Sequence, residues 1–192
     1  MEALLSQEDL SVPLDVAALD MARVENPGLD PRPFLALLDS HARELADLTR
    51  HCKTGEERVR IANHYLFDQL GFRGNEADYG SPTNSCLNEV LLARTGIPVS
   101  LSVVYLEIAR RLAWPMVGIS LPGHFIIQYD DGDFDCYIDA YSAGRILDLN
   151  DCRQLAFQIM RVDIATHPDV MEPATNWQIA VRMLHNLRGI SV

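Results

Sequence analysis

The chain has 192 residues, 48% hydrophobic and 22% charged, enough for one well-filled core in an ordinary folded domain. Its formal net charge of -11 leaves no basic stripe for phosphate backbones, so no nucleic-acid partner is expected. The N-terminal run MEALLSQEDLSVPLD is acidic where a signal peptide is basic, and no window approaches the ~18 apolar residues of a membrane span; no membrane partner and a cytoplasmic location are expected.

Residues from about 14 to 71 read as helices. In DPRPFLALLDSHARELADL, Asp30 is placed to cap, Pro31 suits a first helical position, and Phe34, Leu38, Leu45 and Leu48 recur on one face. In EERVRIANHYLFDQLG, the set Ile61, Ala62, Tyr65, Leu66 and Leu70 has the helical period and Gly71 is a stop signal. The turn-rich passage GFRGNEADYGSPTN then leads directly to Cys86. From Cys86, the apolar spacing of Leu87, Val90 and Leu91, with Gly96 and Pro98 beyond, predicts a helix of about ten residues. Ser81 and Asn84 are alternative caps, and either leaves Cys86 in the first turn or two. SLSVVYLEIARRL predicts another helix, with Leu101, Val104, Tyr105, Ile108 and Leu112 on one face.

After Pro115 the period becomes strand-like. HFIIQY and FDCYID flank DDGD, and Asp131-Gly132 reads as a two-residue hairpin turn. That turn opposes Asp130 to Asp133 and Tyr129 to Phe134, and carried along the strands it opposes His124 to Asp139. Directly opposed residues have Cβ atoms roughly 4.5 to 5.5 Å apart, within reach of an imidazole–carboxylate hydrogen bond. Phe125, Ile127, Tyr129, Phe134, Cys136 and Ile138 share the other, core-facing side. His124, Gln128, Asp135, Tyr137 and Asp139 form a polar array with Ile126, turned to something other than the main core. NDCRQLAFQIM and TNWQIAVRMLHNL return to helix, with Trp177, Val181, Leu184 and Leu187 as the stripe expected to pack. Helices, a hairpin-containing sheet and helices again make an α+β protein.

Cys52, Cys86, Cys136 and Cys152 include no C-x-x-C pair, so they read as reduced thiols rather than a zinc site or a disulfide framework. His41, His51, His64, His167 and His185 lack paired ligand spacing, and DDGDFD lacks the distal Glu of a calcium loop. Neither metal nor cofactor is expected. A cysteine at a helix start has the positive end of the helix dipole beside it, and an imidazole backed by a carboxylate adds to that effect. Cys86, His124 and Asp139 are the right residue types for such a triad; a buried structural thiol and a cross-strand hydrogen-bonded pair are the plain alternative. Tyr79 and Asn84, just upstream of Cys86, are candidates to hold an oxyanion with the Cys86 backbone N–H, although loop polarity explains them equally well.

The order Cys86 at a helix start, GIPVSLS, PGHF on one strand and YIDAY on the next resembles the transglutaminase-like core, a relative of papain-like folds. More narrowly, the run from GFRGNEADYGSPTNSCLNEVLLARTGIPVSLSVVYLEIARRL through LPGHFIIQY to IDAYSAGRIL is similar to the bacterial SirB-type transglutaminase-like family. The resemblance implies Cys86 as nucleophile, His124 as base and Asp139 as the carboxylate that orients it. It also implies an N-terminal helical region over residues 1–75 packed on a catalytic core over 76–150, with C-terminal helices over 151–192, together one structural unit. Many members carry another residue at the position of Cys86, and members commonly continue into a tetratricopeptide-like tail beyond the point where this chain ends. The expected function is cysteine-dependent acyl transfer on an unidentified protein or peptide: amide or ester hydrolysis, or transamidation. The alternative is a non-catalytic interaction or regulatory module on the same fold. No feature of the sequence specifies the oligomeric state.

Overall fold

A computed structural model describes residues 13–189. Most of the N-terminal run read above as lacking a leader lies outside them.

Helix α1 spans Leu14–Ala22 and α2 spans Arg32–Thr49. Asp30 accepts from Arg32 N at 3.1 Å and Pro31 occupies the N-cap, so the expected start is displaced by one residue. Helix α3, Gly55–Asn63, opens on a capping box between Thr54 and Glu57 and widens into a π-helical turn over His64–Gln69 before Gly71, whose φ of 77° ends it. Strand β1, Arg73–Gly74, pairs in parallel with β2, Thr95–Gly96. Between them run a 3₁₀ turn at Pro82–Ser85 and helix α4, Leu87–Ala93. This helix is shorter than expected because Arg94 takes a left-handed conformation and Thr95 and Gly96 are drawn into the ladder.

Helix α5 spans Pro98–Arg111, and every residue from Pro98 to Ala109 is buried. The expected single apolar face is therefore too narrow a description. With α1, α2, α4, α7 and the sheet all packed around it, α5 is the central element. An antiparallel sheet follows in the order β3 (Met116–Ile119), β4 (Ile126–Asp130), β5 (Asp135–Asp139), β6 (Arg145–Leu147). Helices α6, Leu149–Met160, and α7, Asn176–Leu187, close the chain.

The hairpin departs from expectation in an informative way. Asp130 pairs with Asp135, Tyr129 with Cys136 and Ile127 with Ile138, two residues later than a two-residue turn would place them. The loop is longer because the Asp131 carboxylate accepts from Asp133 N at 3.2 Å and Phe134 N at 2.9 Å, which supports a four-residue turn. A shift of two preserves the alternation of faces, whereas a shift of one would have reversed it. Phe125, Ile127, Tyr129, Cys136 and Ile138 thus lie in the main core with α5. The opposite face is not a free polar array: Ile126 and Leu147 bury against Cys152 and Ala156 of α6 in a second, smaller core. Helix α7 packs through Ile179, Ala180, Met183 and Leu187; Leu184 is partly buried and Trp177 is exposed, so the burying stripe is rotated from the expected one.

Candidate active site

His124 is delivered by a tight turn. Its N–H donates to Leu121 O at 3.1 Å across Pro122 and Gly123, and Gly123 has φ of 70°, the signature of a type II turn. A Cβ at Gly123 would also meet Ile159 Cγ2 at 2.6 Å. The last turn of α6 therefore lies against the loop that carries the imidazole.

His124 Nε2 and Asp139 Oδ1 are 2.9 Å apart, so the shifted register still brings the two together, although not as directly opposed residues. Asp139 Oδ1 also accepts from Tyr141 N at 3.0 Å and Ser142 N at 3.3 Å, and Oδ2 accepts from Ser142 Oγ at 2.8 Å. Burial works to raise the Asp139 pKa, but the hydrogen bonds and charge interaction with His124, with help from Ser142, outweigh it and hold the carboxyl below its ordinary value. An ionised carboxylate only accepts, which puts the proton of a neutral His124 on Nε2 and leaves the Nδ1 lone pair free. Ser142 and Tyr141 were not singled out in the sequence. Their signal was an Asp followed two and three residues later by turn-forming backbone, the pattern of an Asx turn.

Cys86 is the N-cap of α4 and is 2% exposed, against 6% for His124 and 3% for Asp139. Its thiol donates to Pro82 O at 3.6 Å, and its backbone N–H donates to Thr83 O at 3.1 Å. Burial, with the nearby charges of Glu25 and Glu89, pushes the thiol up to about 11. The low-pKa thiolate expected from a helix start is therefore not the resting state, because α4 is short and desolvation dominates. Nor does Cys86 hydrogen-bond His124 in this conformation. The Asn84 side chain is equally committed: Nδ2 donates to Asp78 O at 2.6 Å and Tyr79 O at 3.1 Å, and Oδ1 accepts from Asn75 Nδ2 at 2.9 Å. Both amide hydrogens are spent on shaping the loop, so neither Asn84 nor the Cys86 N–H is open to an oxyanion here.

Aromatic contacts join the cysteine loop to the histidine. Tyr79 meets the Tyr141 ring edge-on at 5.9 Å, and Tyr141 meets the His124 ring edge-on at 6.2 Å. Gly74, where the loop begins, lies so close to Tyr141 that a Cβ would be 2.5 Å from its ring. Tyr79 is exposed beside this ladder. A cavity of about 600 Å³ lies elsewhere, between β5, β6 and the start of α6, and is lined by none of Cys86, His124 and Asp139. Cys52, Cys136 and Cys152 are free thiols like Cys86. Among the described residues no cluster of His, Cys, Asp and Glu is arranged to hold a metal, and no helix is long and apolar enough to cross a membrane.

A transglutaminase-like superfamily model matches residues 32–185. The chain is 34% identical over 190 residues to a UPF0162 protein of Xylella fastidiosa strain Temecula1, covering 97% of this chain and 68% of that protein. It is 29% identical over 174 residues to a UPF0162 protein of Pseudomonas aeruginosa, covering 91% and 63% of the two chains. Human F-box only protein 21 is 40% identical over 104 residues, half of this chain and 17% of that protein. No solved structure matches. On the breadth of the superfamily match and of the Xylella relationship, the chain belongs to the transglutaminase-like superfamily and to the UPF0162 family.

Proposed function

We propose that this protein is a cysteine-dependent acyl-transfer enzyme of the SirB type, working on an amide or ester. The observation that carries the reading is the buried His124–Asp139 pair, whose carboxylate is saturated by four hydrogen bonds and so presents Nδ1 of His124 as a fixed base. Cys86 Sγ turns from Pro82 O toward Nδ1 and gives up its proton there. The sulfur adds to the carbonyl carbon, the bond to the leaving amine or alkoxide breaks, and that group takes the proton from His124. Water, or a second amine, then adds to the thioester carbonyl with Nδ1 again accepting a proton, the C–S bond breaks, and Cys86 Sγ takes that proton back from His124. Asn84 serves to hold the loop.

A second reading, a non-catalytic interaction module, is favoured by the resting state of Cys86, whose S–H and N–H are both satisfied within its own turn. The F-box match, confined to a small part of a much longer protein, also fits a domain used as a module.

Thiol reactivity separates the two. Burial pushes both the Cys86 and the Cys136 thiol up to about 11, and the loss of any excess reactivity in His124→Ala is what assigns it to His124. With iodoacetamide at neutral pH, mapped by mass spectrometry, Cys86 is expected to be alkylated at least about tenfold faster than Cys136, an acceleration worth roughly 1.4 kcal/mol. His124→Ala should abolish the excess and Asp139→Asn should reduce it. If Cys86 reacts no faster than Cys136 and Cys152, or ignores the loss of His124, the module reading replaces the enzyme.

A further inference from the structure

Helix α7 carries Arg182. This helix packs against the Pro82–Ser85 turn that ends at Cys86. Its Arg182 Nη1 donates to Ser120 Oγ at 2.5 Å and Leu121 O at 3.2 Å, the start of the loop that ends at His124. The guanidinium lies over the Phe125 ring, 5.7 Å from its centroid. Tyr79, the exposed end of the aromatic ladder to His124, is its electrostatic neighbour. Arg182 thus holds the start of the loop that carries the base, from a helix that packs against the turn ending at the nucleophile.

What it lacks is an anion. Among the described residues Arg110 and Arg111 each meet the buried carboxylates Asp15 and Glu107, whereas no carboxylate lies within 4.0 Å of Arg182. Both bonds it makes come from Nη1. The edge formed by Nε and Nη2, which is the fork that grips a carboxylate through two parallel bonds, makes no hydrogen bond within the described residues. Burial presses the Arg182 pKa down, yet arginine keeps its proton at neutral pH, so an unneutralised cation stands beside the site of a chain with net charge -11. Such a group is costly to desolvate unless an anion joins it.

We propose that Arg182 is the specificity residue of this site and that the substrate is an acyl donor bearing a carboxylate close to the bond that reacts, as in an acidic peptide or a chain's C-terminus. Two features select a carboxylate over a phosphate: a single fork is available, and the chain's net charge of -11 disfavours a dianion more than a monoanion. The inference rests on the acyl-transfer reading, and its test is built so that the two fail separately.

The probes are iodoacetate and iodoacetamide, which differ in carrying or lacking a carboxylate; in both, the thiolate sulfur forms the bond to carbon and iodide leaves. Partly exposed Cys52 is the internal reference. In the native protein the iodoacetate-to-iodoacetamide rate ratio at Cys86 is expected to exceed that at Cys52 at least tenfold. In Arg182→Gln the ratio should fall to the Cys52 value whatever happens to the absolute rates, and Arg182→Lys should keep part of the preference. A purely structural Arg182 would change both reagents alike. Equal ratios at the two cysteines in the native protein, or a ratio that survives Arg182→Gln, would overturn the proposal. If Cys86 reacts with neither reagent the acyl-transfer reading falls, and calorimetric titration with N-acetylglutamate decides on Arg182 alone. Binding at least tenfold weaker in Arg182→Gln supports the carboxylate site; equal or no binding overturns it.

Discussion

Replacing Asp139 by alanine is expected to cost the fold about 3–5 kcal/mol, because several donors lose their acceptor together and a buried unsatisfied group costs about 1–3 kcal/mol. The substitution strips acceptors from His124 Nε2 in the β3–β4 connection, and from the Tyr141 and Ser142 backbone N–H groups and Ser142 Oγ at the start of the connection to β6. Asparagine retains one acceptor oxygen and should cost less, about 1–3 kcal/mol, as for a buried group left partly unsatisfied. The pH dependence carries a sign. The folded pKa of Asp139 lies below its ordinary value, so its contribution is complete above the unfolded pKa of about 3.9 and is lost as the pH falls through the folded value. Urea unfolding at pH 7 and near pH 3 should therefore show the native protein losing a share of stability in acid that Asp139→Asn no longer has to lose. An alanine variant that unfolds at the native urea concentration would mean that this network does not anchor the loop.

An effect of similar size is expected far from the site, in Arg111→Ala. Asp15 on α1 is 1% exposed and Glu107 on α5 is 2% exposed. Arg111 Nη2 meets Asp15 Oδ2 at 2.6 Å, Nη1 meets Glu107 Oε2 at 3.0 Å, and Nε meets Asp39 Oδ1 on α2 at 2.6 Å. One guanidinium thus joins three helices, with Arg110 contributing a second contact to Glu107 at 2.7 Å. Removing it leaves two buried carboxylates with a single cation, and the expected loss is about 3–5 kcal/mol. Burial already raises the Glu107 pKa, partly opposed by Arg110 and Arg111 and reinforced by Asp15. A folded pKa above the unfolded one favours the fold at low pH and is lost as the pH rises through the folded value. Without Arg111 that pKa rises further, so the deficit of Arg111→Ala relative to the native protein should shrink between pH 7 and pH 5. Thermal melts of both proteins at the two pH values test this; a deficit independent of pH would show that the carboxylates are not what the arginine relieves.

How much of this architecture could be read from the chain differs element by element. The 3.6-residue period of Leu38 and Leu45 located α2, that of Ala62, Tyr65 and Leu66 located α3, and alternation placed Phe125, Ile127, Cys136 and Ile138 on one buried face. These signals are local, since each residue's partner in the pattern lies within one turn or one pleat. The same holds for the type of residue at the candidate site, where a cysteine before an amphipathic run and a histidine and an aspartate on one hairpin face were all visible.

What tertiary structure alone decided is which hydrogen bonds each group finally makes. The hairpin register moved by two for a local reason, the Asp131 side chain accepting from backbone N–H donors in its own loop. The His124–Asp139 contact instead joins the loop before β4 to the end of β5, and it survived because alternation repeats every second residue. The two-residue strands at Arg73 and Thr95 carry no period to detect and exist only because the chain folds back on itself. α5 carries Ser100, Ser102 and Glu107 among its apolar residues, so its pattern could not reveal that it would be enclosed on every side. The state of Cys86 was least legible of all. A helix start argues for a thiolate, but the sulfur is surrounded by buried groups, faces Pro82 O and lies near Glu25 and Glu89, and desolvation by distant parts of the chain outweighs the dipole of a short helix. Periodicity records which face is buried, whereas a proton's position depends on every group brought near it by folding.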